Sequence, residues 1–164
     1  MSELGPPVKI AVVGAGYWGP NLVRNLHELS QASLEVVCDL RPDALARIAR
    51  RYPGLRTTTS YADVLADDAI EAVAIATQVG THAELATAAL EAGKHVLVEK
   101  PLAASVAEAE SLIELAGRRA ASGGRVPART SYATRLSALS SSSMPGARRL
   151  FPIRSACVAS RATS

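Results

Sequence analysis

Three glycines near the N-terminus most constrain what this 164-residue chain can fold into. The apolar, β-branched run VKIAVV at residues 8–13 is followed at once by Gly14, Gly16 and Gly19, spaced as G-x-G-x-x-G. Such a run is typical of a strand buried in a parallel sheet, and apolar residues at helical spacing come next. In this strand–turn–helix pattern the glycines permit a tight turn, close approach of the backbone to a pyrophosphate, and close helix–strand packing. The pattern therefore predicts the first half of a βαβ unit with a phosphate-binding turn.

Strands and helices are predicted to alternate through the first 124 residues. Short apolar runs predict further strands at 34–38, at 72–76 and at 95–98, and the last of these is predicted to be buried. Helical spacing predicts helices at 18–29, from 42, at 61–66, at 82–91 and at 105–119. Ser105 with Glu108 three residues later forms a capping-box pattern. This order predicts an α/β fold, a doubly wound parallel sheet with helices on both faces, whose ligands bind at the carboxyl ends of the strands.

An acidic residue, Asp39, closes the second predicted strand. A carboxylate at that position can accept hydrogen bonds from the adenosine ribose hydroxyls and would repel the extra phosphate of NADP. NAD is therefore the predicted cofactor, and NADP is less favoured. Arg41 leaves an alternative open, because an arginine turned toward the ribose could accept a 2′-phosphate, whereas a surface arginine at a helix start would not.

Three stretches of the chain resemble the Gfo/Idh/MocA family, which includes glucose-fructose oxidoreductases and inositol dehydrogenases. They are VGAGYWGPNLVRN at 13–25, ATQVGTH at 76–82 and GKHVLVEKPL at 93–102, and the resemblance covers about residues 7–124. It implies an N-terminal Rossmann domain and a C-terminal substrate domain that together oxidise or reduce sugar and polyol hydroxyls with NAD or NADP. The YWGPNLVRN stretch most resembles members that act on nucleotide-linked sugars.

The resemblance also implies site residues. Lys100 would be catalytic, near the nicotinamide and the substrate hydroxyl, to which a lysine can relay a proton. No metal is expected. The residues predicted to bind the cofactor are Gly14, Gly16, Tyr17, Trp18, Gly19, Asp39, Thr77, His82, Glu99 and Pro101.

Three positions expected to lie near the cofactor carry more specific predictions. His82 could orient the loop that begins at Thr77, or only cap a helix. Trp18 is expected to be a core residue or a wedge beside the cofactor rather than a substrate platform. Gln78 replaces the family's proline, which would fix φ and remove an N–H, so a looser backbone is expected there.

Residues 125–164 differ in kind from the predicted dinucleotide-binding domain at 1–124. They contain seven arginines and no acidic residue, whereas residues 1–124 have a net charge of −4. With no lasting hydrophobic period, a poorly structured Arg/Ser-rich tail is expected. It could be an arm for nucleic acid or a membrane surface, a natural disordered extension, or, as we prefer, an out-of-frame segment after a frameshift near Val126. The substrate domain, with the histidine that partners the family's lysine, is then absent, and the chain is expected to be inactive alone.

Location and partners follow from the same features. Cys38 and Cys157 have no metal-like spacing and provide no disulfide framework. No secretory signal or membrane span is recognisable. We expect a cytoplasmic protein that binds NAD(H) and, in full-length relatives, a sugar or nucleotide-sugar substrate. Neither nucleic acid nor a membrane is an expected partner, and the sequence leaves oligomer formation open. The alternatives are a non-catalytic NAD-binding module, a docking subunit, or a functionless gene fragment.

Overall fold

A computed structural model describes residues 5–121, which form one five-stranded parallel sheet between two layers of helices. The strand order is β3-β2-β1-β4-β5. The strands are β1 (Val8–Val13), β2 (Ala32–Cys38), β3 (Arg56–Thr58), β4 (Ala72–Ile75) and β5 (His95–Val98). The helices are α1 (Gly19–Glu28), α2 (Pro42–Arg51), α3 (Tyr61–Ala66), α4 (His82–Glu91) and α5 (Val106–Ala121), and a short 3-10 turn, Val79–Thr81, precedes α4. The predicted doubly wound α/β fold is confirmed.

Alternate residues of the central strand β1 pack into two separate cores. Ala11 and Val13 belong to a cluster completed by side chains of α3, α4 and α5. Val12 belongs to a second cluster, completed by side chains of α1 and α2. Because successive strand residues point to opposite faces, the two clusters lie on opposite sides of the sheet. Burial on both faces explains why the central strands consist of continuous apolar runs.

Several predicted helix ends are confirmed. Pro42 is the first residue of α2, where its missing N–H costs nothing. The capping box before α5 is present, since the Glu108 N–H donates to Ser105 Oγ at 3.2 Å and the Ser105 N–H donates to Glu108 Oε2 at 3.0 Å. Gly93 follows α4 with a φ of +76°, the left-handed conformation that favours glycine after a helix.

Two predictions about the strands are wrong. The sequence predicts no strand between α2 and α3, yet β3 pairs with β2 in parallel. The segment is only three residues long, and Arg56 and Thr57 are exposed, so no apolar run marks it. β5 is predicted to be buried, but it is the last strand of the described sheet, and Leu97 is 42% exposed.

The start of α1 differs from the helical pattern in the sequence. That pattern includes Trp18, but α1 begins at Gly19 and Trp18 is its N-cap residue. The Trp18 side chain is 56% exposed, so the interpretation of Trp18 as a core residue is wrong. Val23 and Leu26 provide the buried face of α1.

The remaining predictions on organisation concern residues that the structure does not describe. The boundary at residue 124 and the tail at 125–164 both lie outside residues 5–121. Within residues 5–121, no helix is both long enough and apolar enough to cross a membrane. The same residues contain no group of three or more His, Cys, Asp or Glu side chains that could hold a metal ion.

Candidate functional site

The turn after β1 is packed so closely that two of its glycines admit no side chain. Gly14 has a φ of +99°, and a Cβ there would lie 2.7 Å from the carbonyl carbon of Ala76. A Cβ on Gly19 would collide with the Gly14 carbonyl oxygen. Gly16 differs, because the nearest atom to its added Cβ would be Arg41 Nη2 at 3.6 Å. Gly14 and Gly19 are therefore required by packing. Gly16 instead borders the space between the turn and Arg41, which we call the mouth of the turn.

The backbone at this mouth offers unpaired hydrogen-bond donors. The N–H groups of Gly16, Tyr17 and Trp18 have no acceptor among residues 5–121, and no side chain caps α1. The first N–H groups of a helix lack intrahelical partners, and the helix dipole adds positive potential at the same end. Together with the space at Gly16, these donors fit a pyrophosphate.

Asp39 is joined directly to the glycine-rich turn. The Ala15 N–H donates to Asp39 Oδ2 at 2.6 Å, and the Arg41 N–H donates to Asp39 Oδ1 at 2.8 Å. Burial by itself raises the pKa of the Asp39 carboxyl, but hydrogen bonds from the Arg41 side chain and from the two N–H groups outweigh it and hold that pKa below its ordinary value. An ionised acceptor therefore stands beside the turn, where the adenosine ribose binds in folds of this kind.

The Arg41 guanidinium lies over the same region. Its Nε is 3.2 Å from Asp39 Oδ1 and its Nη2 is 3.3 Å from Asp39 Oδ2. Its Nη2 also faces Gly16 across the mouth of the turn. Arg41 is thus exposed to solvent but paired with Asp39, and its position in the sequence does not reveal this pairing.

The loop after β4 is closed by two threonine hydroxyls. Thr81 Oγ1 donates to the Gln78 carbonyl oxygen at 2.8 Å, and Thr77 Oγ1 lies 2.8 Å from Thr81 Oγ1. Because the Thr81 proton is committed to Gln78, the Thr77 hydroxyl is the donor of that pair. Gln78 has a φ of −73°, inside the range that proline would impose. The loop therefore adopts a proline-like conformation at Gln78 without proline.

His82, the first residue of α4, is buried, with 2% of its surface exposed. Its Nδ1 lies 2.9 Å from the Pro101 carbonyl oxygen and its Nε2 lies 3.1 Å from the Thr77 carbonyl oxygen. The ring therefore contacts the loop after β4 and the loop after β5 together, and makes no side-chain cap on α4.

Lys100 and Glu99 lie directly after β5. The Lys100 N–H donates to Glu99 Oε2 at 3.1 Å. The Lys100 side chain is exposed, and its ammonium group has no partner among the described residues. Its position beside the carboxyl end of β5 agrees with a role at the edge where ligands bind, and the exposed ammonium is available to a bound molecule.

The structure brings all the predicted site residues to one edge of the sheet, because they follow the carboxyl ends of the parallel strands β1, β2, β4 and β5. Tyr17 and Trp18 are exposed beside the glycine turn, with ring centroids 5.4 Å apart at an interplanar angle of 88°. Three contacts could not be read from the sequence: Ala15 to Asp39, Arg41 over Gly16, and His82 to Pro101.

Strand order and site together define a dinucleotide-binding domain. The order of the strands reverses between β1 and β4, and a glycine-rich turn and an acidic residue end β1 and β2, as this class requires. The chain belongs to the Gfo/Idh/MocA family. The family model described as "Oxidoreductase family, NAD-binding Rossmann fold" matches residues 8–122.

Individual relatives agree with this assignment. Inositol 2-dehydrogenase 3 of Saccharopolyspora erythraea is 36% identical over 113 residues, which cover 68% of this chain and 33% of that enzyme. GenD2 from gentamicin A biosynthesis, solved in complex with NAD, is 34% identical with a TM-score of 0.68, over 73% of this chain and 34% of its own. KijD10, a 3-ketoreductase from Actinomadura kijaniata in complex with NADP and TDP-benzene, is 30% identical with a TM-score of 0.64, over 69% and 35%. The chain thus spans about a third of the length of these relatives.

Proposed function

We propose that this chain binds NAD at the carboxyl edge of its sheet and supplies the nucleotide-binding part of an oxidoreductase acting on sugar or nucleotide-sugar hydroxyls. The observation that carries the proposal is the hydrogen bond from Ala15 to Asp39. It joins the pyrophosphate-binding turn and the ribose acceptor into one rigid unit. The relatives support the substrate class, since one is an inositol dehydrogenase and another was solved with a nucleotide ligand, TDP-benzene.

Each half of NAD has its own contacts in this proposal. The N–H groups of Gly16, Tyr17 and Trp18 bind the pyrophosphate, and Asp39 binds the adenosine ribose. Because Asp39 lies on the β2 side of the reversal in strand order, the nicotinamide half lies on the β4 and β5 side. NAD, when bound, supplies the hydride acceptor. The exposed Lys100 ammonium follows β5 and can hydrogen-bond a substrate hydroxyl.

NAD should be preferred over NADP. The ionised Asp39 repels a 2′-phosphate, and the Arg41 guanidinium that could attract one is already paired with Asp39. Titration calorimetry of NAD and NADP tests this preference, with Asp39→Asn as the matched variant. We expect wild type to bind NAD at least about tenfold more tightly, and the NAD-to-NADP ratio to fall in the variant because the repelling charge is gone. Equal or tighter binding of NADP by wild type would overturn the preference.

A non-catalytic NAD-binding module is the second candidate function. It is favoured by the exposure of Lys100, whose ammonium group has no partner among the described residues. Residues 5–121 form the nucleotide-binding sheet and its helices, and these elements by themselves neither hold a substrate against the cofactor nor exclude water from it. NADH formation with inositol, free sugars and nucleotide sugars decides between the two. Binding of NAD without NADH formation supports the module, whereas turnover that is lost in Lys100→Met, with NAD affinity retained, supports the enzyme.

We also propose a reducing, cytoplasmic location, because Cys38 and Cys157 provide no disulfide framework. Separately, the structure shows that Cys38 is a buried free thiol. Burial, followed by the charges of Asp39 and Asp63, raises the pKa of the Cys38 thiol to about 11, so little of the reactive thiolate is present at neutral pH. Mass-spectrometric mapping of alkylated cysteines should find Cys38 protected in the native chain and modified after unfolding.

A further inference from the structure

His82 occupies an unusual place in the described part of the chain. Only two polar or charged side chains there are buried, His82 and Lys94. Lys94 lies away from the candidate site and donates to the carbonyl oxygens of Asp67 and Ile70 at 2.7 and 2.9 Å. The His82 ring instead lies between two loops that both belong to the candidate site.

The His82 ring links the two loops through the carbonyl oxygens of Thr77 and Pro101. Among residues 5–121, neither the Thr77 oxygen nor the Pro101 oxygen has a hydrogen-bond partner other than His82. A neutral imidazole donates to one of these oxygens, and a doubly protonated ring donates to both. In either state, removal of the ring leaves at least one carbonyl group unpaired at the base of the loops.

Lys100 depends on this connection for its position. Its side chain is exposed and has no partner in the described structure, so only the backbone fixes the origin of that side chain. The Pro101 carbonyl oxygen, one residue further on, lies 2.9 Å from His82 Nδ1, which donates to it when that nitrogen carries a proton. The loop on the other side of the ring is the closed Thr77–Thr81 segment, which holds its shape through its own hydroxyl groups.

We propose that His82 is a positioning residue for the nicotinamide half of bound NAD. It holds the Glu99–Pro101 segment at a fixed distance from the loop after β4, so that both loops present one preformed surface. The inference rests on the proposed function, since it presumes that NAD binds at this edge. The contacts predicted for the adenosine half, at Gly16 and Asp39, do not involve His82, so the two halves of NAD should respond differently to its loss.

Comparison of NAD with ADP tests this separation. ADP contains only the adenosine diphosphate half, so its affinity reports on the glycine turn and Asp39 alone. Dissociation constants for both ligands are measured by calorimetry on the full chain for wild type, His82→Leu and His82→Gln. We expect His82→Leu to weaken NAD binding by about tenfold and to leave ADP binding within about twofold of wild type. His82→Gln, whose amide can still donate to a loop carbonyl, should recover most of the NAD affinity.

A second buried polar residue provides the control for a purely structural effect. Lys94→Met removes the hydrogen bonds to the Asp67 and Ile70 carbonyl oxygens and leaves that of Ile70 without a partner in the described structure, but at a distance from the site, so it should lower the thermal unfolding temperature without changing the ratio of NAD to ADP affinity. If His82→Leu fails to fold, as judged by circular dichroism, His82→Ala takes its place, since it also removes the ring but adds no apolar bulk: a NAD-to-ADP affinity ratio shifted toward ADP supports the inference, and an unchanged ratio overturns it.

The remaining outcomes are equally distinct. Parallel loss of NAD and ADP binding in a folded His82→Leu, or no loss of either, would overturn the positioning role while leaving NAD binding intact as a function. Failure of wild type to bind NAD and ADP would overturn the proposed function and this inference with it.

Discussion

At the scale of single residues, the three glycines of the turn have different physical roles. Gly19 is fixed by contact with the Gly14 carbonyl, and Gly14 by its positive φ and its contact with Ala76. Gly16 meets nothing closer than Arg41 Nη2 at 3.6 Å. The sequence motif gives the three glycines equal weight. Only the packing shows that Gly14 and Gly19 are needed by the fold, whereas Gly16 has space that a ligand could use.

This difference predicts that two alanine substitutions affect different properties, one the stability of the chain and the other its affinity for NAD. Gly19→Ala should lower the free energy of unfolding by about 1–3 kcal/mol or prevent folding, because its Cβ overlaps backbone that cannot move freely. Gly16→Ala should leave stability within about 0.5 kcal/mol of wild type and weaken NAD binding, because a methyl group enters the space for the pyrophosphate. Denaturant unfolding and calorimetry measure the two effects. Normal NAD affinity in Gly16→Ala would contradict the placement of the pyrophosphate.

His95 should make stability depend on pH. Burial lowers the pKa of His95 below its ordinary value of 6.5, with Glu71 opposing the shift, and His95 Nε2 is buried without a partner in the described structure. The folded chain therefore binds fewer protons at this site than the unfolded chain. The contribution of His95 to the free energy of unfolding is complete above pH 6.5 and is lost as the pH falls below that value.

Replacement of His95 should remove this contribution. Denaturant unfolding of wild type and His95→Gln at about pH 8 and about pH 5 gives two stability differences, and the one for wild type should be larger. His27→Gln is the matched control, because His27 is exposed, and its difference should stay close to that of wild type. Equal differences in wild type and His95→Gln would show that the buried His95 ring does not cause the pH dependence of stability.

At the scale of elements, the loop after β4 shows how a loop can hold a proline-like conformation by other means. Gln78 has a φ of −73°, and its N–H has no acceptor among the described residues. Proline at this position would lose no hydrogen bond and would restrict the unfolded chain. Gln78→Pro should therefore raise the free energy of unfolding by about 0.4–1 kcal/mol and retain NAD binding, measured by thermal unfolding and calorimetry.

The control for that substitution is Gln78→Ala, which removes the same side chain without restricting φ. Its stability should remain close to that of wild type. A Gln78→Pro variant less stable than Gln78→Ala would mean that the loop needs freedom at this position.

The elements also show where prediction from sequence succeeds. Helix ends were predictable because their signals are local: Ser105 and Glu108 stand three residues apart, and Gly93 directly follows the last turn of α4. The contacts of the site were not, because His82 and Pro101 are 19 residues apart in the chain and meet only once β4 and β5 are neighbours. β3 was missed for a related reason, since its pairing with β2 owes nothing to an apolar run of its own.

At the scale of the whole molecule, every residue of the candidate site lies between residues 14 and 101. A chain that ends at residue 121 should therefore bind NAD within about twofold of the full chain in calorimetry at physiological salt. The removed residues include the seven arginines of 125–164, and attraction between arginines and phosphates weakens as salt screens it. A loss of affinity that persists at high salt would place part of the NAD site beyond residue 121.

Bound NAD should in turn stabilise the folded chain. A ligand that binds only the native state raises its stability by about 2.7 kcal/mol at a concentration one hundred times its dissociation constant. Thermal unfolding with increasing NAD should show a continuous rise in the unfolding temperature, and Gly16→Ala should flatten that rise. No rise in wild type would contradict binding to the folded state.

The hydrogen bond between Ala15 and Asp39 has a consequence for anyone who would redesign the cofactor choice of this protein. The carboxylate that we propose repels the 2′-phosphate is also the group that accepts the hydrogen bond from Ala15 in the glycine turn. A substitution at residue 39 should therefore change cofactor selectivity and the order of the glycine turn together. Many variants in a library that changes only this residue would have a poorly ordered turn. A successful redesign has to place another acceptor beneath the Ala15 N–H before it frees Arg41 for phosphate.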